Sequence, residues 1–117
     1  MNPATTLKKN SEFRRLYSRG RCTPGPYLVL YTAHDKTGGN RVGYTVSVKL
    51  GKAVVRNRIK RRLREIYRLN KQHIKPGTDI IIVARARCIH ADYKQIEEAF
   101  IAGLKEAKVY SEAEDPS

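Results

Sequence analysis

Residues 79–84 read DIIIVA and follow the turn Lys75-Pro76-Gly77. A strand with one wet face alternates polar and apolar positions, whereas a strand covered on both faces has no need to. The run therefore predicts a central strand between two layers, and a chain that must cover such a strand is restricted to layered folds built on a sheet. The other strand candidates fit around it. Residues 27–33 place Tyr27, Val29 and Tyr31 on one face and Leu28 and Leu30 on the other. Residues 35–40, DKTGGN, read as a hairpin loop into residues 41–49. There Val42, Tyr44, Val46 and Val48 alternate with Arg41, Gly43, Thr45, Ser47 and Lys49. One apolar and one small-polar-to-basic face suggest a sheet covered on one side only, with the other side free for a strand of RNA or DNA. Pro24-Gly25-Pro26 marks a turn or irregular edge.

Helical spacing appears in three places. Asn10 or Ser11 can cap a first helix, with Glu12 in its first turn and Gly20 as its stop. Phe13, Leu16 and Tyr17 stand at i, i+3 and i+4; Leu16 fits the core, while Phe13 and Tyr17 fit either core packing or a stacking platform. Asp92 caps a last helix whose stripe is Ile96, Ala99, Phe100, Gly103, Leu104 and Ala107. The order helix, two or three strands, helix, strand, helix is that of an α+β fold with helices on a mostly antiparallel sheet. One domain is expected at residues 10–110, with a loose basic arm at 1–9 and a short acidic, disordered tail at 111–117.

The middle helix carries the strongest chemical signal. Residues 51–68, GKAVVRNRIKRRLREIYR, hold eight basic side chains against one acid, Glu65. Val55, Ile59, Leu63 and Ile66 form an apolar stripe; Arg56, Lys60 and Arg64 run beside it, and Asn57, Arg61 and Arg68 continue that face. Like charges at i and i+4 repel by roughly a few tenths of a kcal/mol per pair, a strain a polyanion relieves. Solvated helix faces usually mix signs, and guanidinium forks grip phosphate bidentately. This helix is predicted to bind nucleic acid.

The whole chain agrees. Its 117 residues carry 24 Lys+Arg against 11 Asp+Glu, a net charge of +13. Residues 1–90 hold net +17 and residues 91–117 net −4, so the last helix and tail should face away from the polyanion. No apolar run is long enough to span a bilayer, residues 1–10 lack a signal-peptide core, and two distant cysteines make no disulfide framework. A cytoplasmic protein without a membrane partner is expected. Glu12, Asp35, Glu65 and Asp79 are unpaired in sequence, as are His34, His73 and His90. Neither a two-metal nuclease site, a catalytic His pair, a zinc site nor a phosphate loop has its spacing here. No catalytic or metal-binding residue is therefore expected.

Residues 51–65, GKAVVRNRIKRRLRE, resemble the signature of the bacterial ribonuclease P protein subunit, centred on Arg56-Asn57-Arg58. The resemblance extends to LKKNSEFRRLYSRG at 7–20, LVLYT at 28–32, RVGYTVSVKLG at 41–51 and DIIIVAR at 79–85. It implies an α-β-β-β-α-β-α sandwich with an unusual left-handed β-α-β crossover. It also implies a non-catalytic subunit of the tRNA-processing endonuclease ribonuclease P, which removes the 5′ leader of precursor tRNA. The RNA subunit would carry the catalytic groups and Mg²⁺, and the protein would lower the Mg²⁺ requirement. It would hold no cofactor and no small-molecule substrate. Carried over residue by residue, Arg56, Asn57, Arg58, Lys60, Arg61, Arg62 and Arg64 would bind the RNA subunit. Phe13, Arg14, Tyr17, Tyr31, Lys49 and Arg85 would bind the leader of precursor tRNA. The chain departs from the family pattern at Val48 and Ala86, where a basic residue is frequent. Two rival readings are a purely structural RNA binder, which needs no aromatic cleft, and a protein-only nuclease, which would cleave without RNA.

Overall fold

The computed structural model describes residues 6–7, 9–34 and 40–112. Its elements are α1 (Asn10–Arg19), β1 (Arg21–Pro24), β2 (Leu28–His34), β3 (Arg41–Thr45), α2 (Ala53–Asn70), β4 (Thr78–Ala84) and α3 (Tyr93–Glu106). This is the α-β-β-β-α-β-α order. The strands form one mixed, mostly antiparallel sheet in the order β1-β2-β4-β3. β4 is antiparallel to β2 and parallel to β3, so α2 is the connection between two parallel neighbours.

The apolar run explains this order. Ile80, Ile81 and Ile82 are each fully buried, which only a strand with a neighbour on both edges and a layer on both faces achieves. Ile80 and Ile82 join Leu28, Leu30 and Val42 under α2 and α3, the latter contributing Ile96, Phe100 and Leu104. Ile81 joins Leu16 of α1 and Leu7 on the opposite face. Each such side chain is worth roughly 1.5–3 kcal/mol of burial. Because β4 takes the centre, β2 and β3 are not neighbours, and the expected 35–40 hairpin is corrected to a connection across β4. Residues 35–39 themselves lie outside the described residues; Asn40 Oδ1 accepts the Thr78 N–H at 2.9 Å.

Other expectations also shift. Residues 21–24, which run into the Pro24-Gly25-Pro26 stretch expected as a turn or irregular edge, pair with β2 from Arg21↔Thr32 to Pro24↔Val29. β3 ends at Thr45 rather than continuing to Lys49. The Ser47 hydroxyl accepts the Lys49 N–H and starts a 3-10 turn, Val48–Leu50, which turns Val48 out to 72% exposure. Gly51 follows at φ 142°, a backbone conformation that favours glycine, and so lets α2 begin at once. α1 starts at Asn10 with Lys9 as its cap residue, and Glu12 Oε1 accepts the Lys9 N–H at 3.3 Å. The arm expected at 1–9 is not loose at its end: Leu7 is buried and its N–H donates to the Val42 carbonyl at 2.8 Å. Residues 1–5 and 8 lie outside the described residues, as do residues 113–117 of the expected tail. Ser111 is anchored, its N–H donating to the His73 carbonyl.

Asp92 caps α3 as the sequence predicts, accepting the Gln95 N–H at 2.8 Å. Asn70, buried at the end of α2, donates from Nδ2 to the Ile66 carbonyl (2.8 Å) and to Glu97 Oε2 of α3 (2.9 Å). On the other face, Asp79 is wholly buried and bonded to Arg41 through both carboxylate oxygens, Nε–Oδ1 at 3.2 Å and Nη2–Oδ2 at 2.8 Å. Arg15 of α1 reaches the same carboxylate at 3.1 Å, and Arg41 also donates to Glu12 at 2.6 Å. The Asp79 carboxylate, first, holds the Arg41 guanidinium protonated far above its usual range. Replacing Arg41 by Met should destabilise the fold by about 3–5 kcal/mol in urea denaturation, because a buried carboxylate loses its principal partner. A loss under about 1 kcal/mol would contradict this account.

Candidate nucleic-acid interface

Two surfaces emerge. The first is α2, whose Ile59, Leu63, Ile66 and Tyr67 are buried and whose basic residues crowd the other sides. Asn57, Arg58, Arg61 and Arg64 are exposed, while Arg56, Lys60 and Arg62 are half-buried. Asn57, Arg61 and Arg64 border a shallow depression beside Val54. Two of the predicted contacts also act within the fold: Arg56 Nε donates to the Gly51 carbonyl and Arg62 Nη1 to the Ala91 carbonyl, each at 3.1 Å. Arg68 is held by Glu65 at 2.8 Å. Glu65, the helix's one acid, thus sits at its C-terminal end and leaves the first three turns unopposed.

The second surface is the face of the sheet that carries α1. α1 lies over the Asp79–Ile81 end and leaves the other end open. Tyr17 stands on the edge of this opening at 40% exposure, its hydroxyl 2.9 Å from Thr45 Oγ1. Its ring meets Tyr31 edge to face at 4.8 Å and Phe13 at 6.4 Å. Phe13 lies against Gly43, where a Cβ would stand 2.6 Å from the Phe13 ring; the glycine is what lets the ring reach the sheet. The register then builds a floor. Pro24 pairs with Val29, Val29 with Val83, and Thr45 with Val83, while Cys22 pairs with Tyr31 one row below. Val29, Val83 and Thr45 are only partly buried. The neighbouring Cys22 and then partial burial push the Tyr31 hydroxyl above its usual pKa, so it remains a neutral donor. The result is a trough with aromatic rings along one wall and an apolar floor, a shape suited to stacked bases.

The remaining predicted positions are all exposed. Arg14 is exposed on α1. Lys49 is exposed in the 3-10 turn beyond β3, rather than in a strand. Arg85 lies just past β4, its Nη1 donating to the Gly25 carbonyl at 2.9 Å. Sequence reasoning missed Val29, Thr45, Val83 and Cys22 as the floor. Val29 was readable, because alternation put it on the Tyr31 face; Val83 was hidden, because an unbroken apolar run assigns no face. Among the described residues, no three or more His, Cys, Asp or Glu side chains are grouped to hold a metal ion. The His73 ring stacks on Tyr110 at 5.3 Å, and His34 and His90 are exposed. No helix among the described residues is long and apolar enough to cross a membrane.

Comparison with known proteins gives a concordant result. A family model described as Ribonuclease P matches residues 1–108. The ribonuclease P protein component of Alkaliphilus oremlandii is 42% identical over 113 residues, covering 97% of this chain and 99% of its own. The structure of the Staphylococcus aureus RNase P protein superposes with a TM-score of 0.85 at 39% identity, covering 92% of this chain and 99% of that one. The Thermotoga maritima RNase P protein does so at 0.79 and 30% identity, covering 86% and 96%. With the family match over nearly the whole chain, the identity to these relatives and the shared element order, the chain belongs to the bacterial ribonuclease P protein component family, the protein part of a ribonucleoprotein endoribonuclease.

Proposed function

We propose that this subunit divides its two surfaces between two RNAs. Family membership implies association with the ribonuclease P RNA, and the α2 ridge, with Arg58, Arg61 and Arg64 at its crest, is the surface for it. The trough between α1 and the sheet takes the single-stranded 5′ leader of precursor tRNA. The observation that carries this division is the Tyr17–Tyr31 pair, left open over the Val29–Val83–Thr45 floor although both rings had apolar faces to bury. Stacking tolerates any base, so the trough distinguishes precursor from mature tRNA without reading a sequence. Arg14, Lys49 and Arg85 would hold leader phosphates at its margins. The hydrolytic chemistry and its Mg²⁺ belong to the RNA subunit. By replacing counterions around that RNA, the basic surface lowers the Mg²⁺ concentration needed for cleavage. The setting is cytoplasmic.

In the reconstituted holoenzyme, Phe13→Ala with Tyr17→Ala should weaken precursor tRNA binding by about 5- to 150-fold, the equivalent of about 1–3 kcal/mol for one lost stack. Mature tRNA binding should not change; equal losses for both would refute the leader assignment. Cleavage at low Mg²⁺ should require protein and RNA together. Cleavage by the RNA-free protein would make it a nuclease, and absence of stimulation would make it a structural RNA binder.

A further inference from the structure

At the other end of the sheet, on the face that carries α3, lies a separate concavity of about 410 Å³. Arg21 from the start of β1, His34 from the end of β2, Lys75 from the turn before β4 and Lys108 from just beyond α3 border it. Thr32 and Thr78 stand between them, and no carboxylate lines it among the described residues. Arg21, Lys75 and Lys108, three cations far apart in sequence, thus come to one place beside His34, which a charge run along one helix does not explain. Lys75 and the segment after α3 are locked together, the Lys75 N–H donating to the Val109 carbonyl at 2.9 Å.

The backbone at Lys108 is the second observation. Its φ of 64° makes it the one non-glycine residue of positive φ among the described residues. The Lys108 N–H donates to the Lys105 carbonyl at 3.1 Å and the Val109 N–H to the Leu104 carbonyl at 3.0 Å, the helix-ending arrangement that normally takes glycine. A lysine here accepts backbone strain in return for a charge on the rim. The dipole of α3 favours a cation at this terminus, but Lys105 already supplies one over the Tyr110 ring. Arg21 and Lys75 belong to other elements and have no such explanation.

We infer that this pocket binds phosphates of the ribonuclease P RNA backbone, at a contact separate from both α2 and the trough. No Phe, Tyr or Trp ring lines it, and its one imidazole, His34, stands among three cations, so phosphate is the group it recognises. Arg21, Lys75 and Lys108 are exposed around its rim, which matches a chain of phosphodiesters better than one enclosed anion. Its position, on the opposite face and at the opposite end from the trough, assigns those phosphates to the RNA subunit rather than to the leader. The inference rests on the family's association with that RNA and not on the leader reading, so either can fail alone.

The test is binding of the full chain to the ribonuclease P RNA across a salt titration. Arg21→Ala with Lys75→Ala should weaken binding and flatten the log–log salt slope by about one to two units. The charge-matched pair Lys94→Ala with Lys105→Ala should leave the slope nearly unchanged. Lys108→Gly should flatten it by about one unit while raising Tm, because glycine relieves the left-handed strain. Throughout, the preference for precursor over mature tRNA should stay constant. An equal loss in the charge-matched pair would overturn the site in favour of general electrostatics, and a lost precursor preference would move it to the leader. Pyrophosphate shifting the Thr32 and Thr78 amides with no change in RNA slope would overturn it in favour of a small-anion site.

Discussion

The buried Asp79 carboxylate is the contact on which the placement of α1 over the sheet, and so the shape of the trough, depends. A carboxylate taken fully out of water is tolerated only where its oxygens are matched by donors, and here Arg41 and Arg15 supply them. Arg41 comes from β3, Arg15 from α1 and Asp79 from β4, so one carboxylate fixes a helix to two adjacent strands. Glu12, the other acid of this network, also belongs to α1 and holds Arg41 from the helix side. With α1 clamped over the Asp79 end of the sheet, Leu16 seats on Ile81, and Tyr17 is left at the edge of what remains uncovered. The trough is the part of the sheet that this clamp does not reach.

The layered α+β class and the basic helix were legible from periodicity alone. Ile80–Ile82 announced a central strand, and Ile59, Leu63 and Ile66 announced which side of α2 faces inward. Strand order was not legible. A loop rich in glycine after an alternating strand reads as a hairpin, and nothing local reveals that β4, forty residues on, inserts between its two arms. The end of β3 was misread for a similar reason: Val48 continues the alternation in sequence, while the Ser47 hydroxyl, a weak signal for a turn, breaks the strand. The Asp79 network was invisible because its members lie far apart, at 12, 15, 41 and 79. The choice between core and stacking roles for Phe13 and Tyr17 was undecided by spacing; the structure gives each ring a contact with the sheet and leaves Tyr17 the more open.

Charge is arranged with the same economy of elements. The acidic side chains of α3 sit on a helix whose buried side completes the core, and Glu97 is used to hold Asn70 at the end of α2. The cations are concentrated elsewhere: along α2, on the exposed side of α1, and at the rim near Lys108. A polyanion approaching this protein meets several separated basic surfaces rather than one continuous belt, which favours a folded RNA presenting several backbones at fixed spacing over a single flexible strand.

The division of the two surfaces is tested most directly through Cys22, exposed on β1 beside Tyr31, since the other cysteine, Cys88, is buried. A photo-cross-linker attached to Cys22 in the assembled holoenzyme should link to leader nucleotides of bound precursor tRNA and give no tRNA adduct with mature tRNA. Cross-links to the body of either tRNA alike, or to the RNA subunit in place of the leader, would contradict the assignment of the trough.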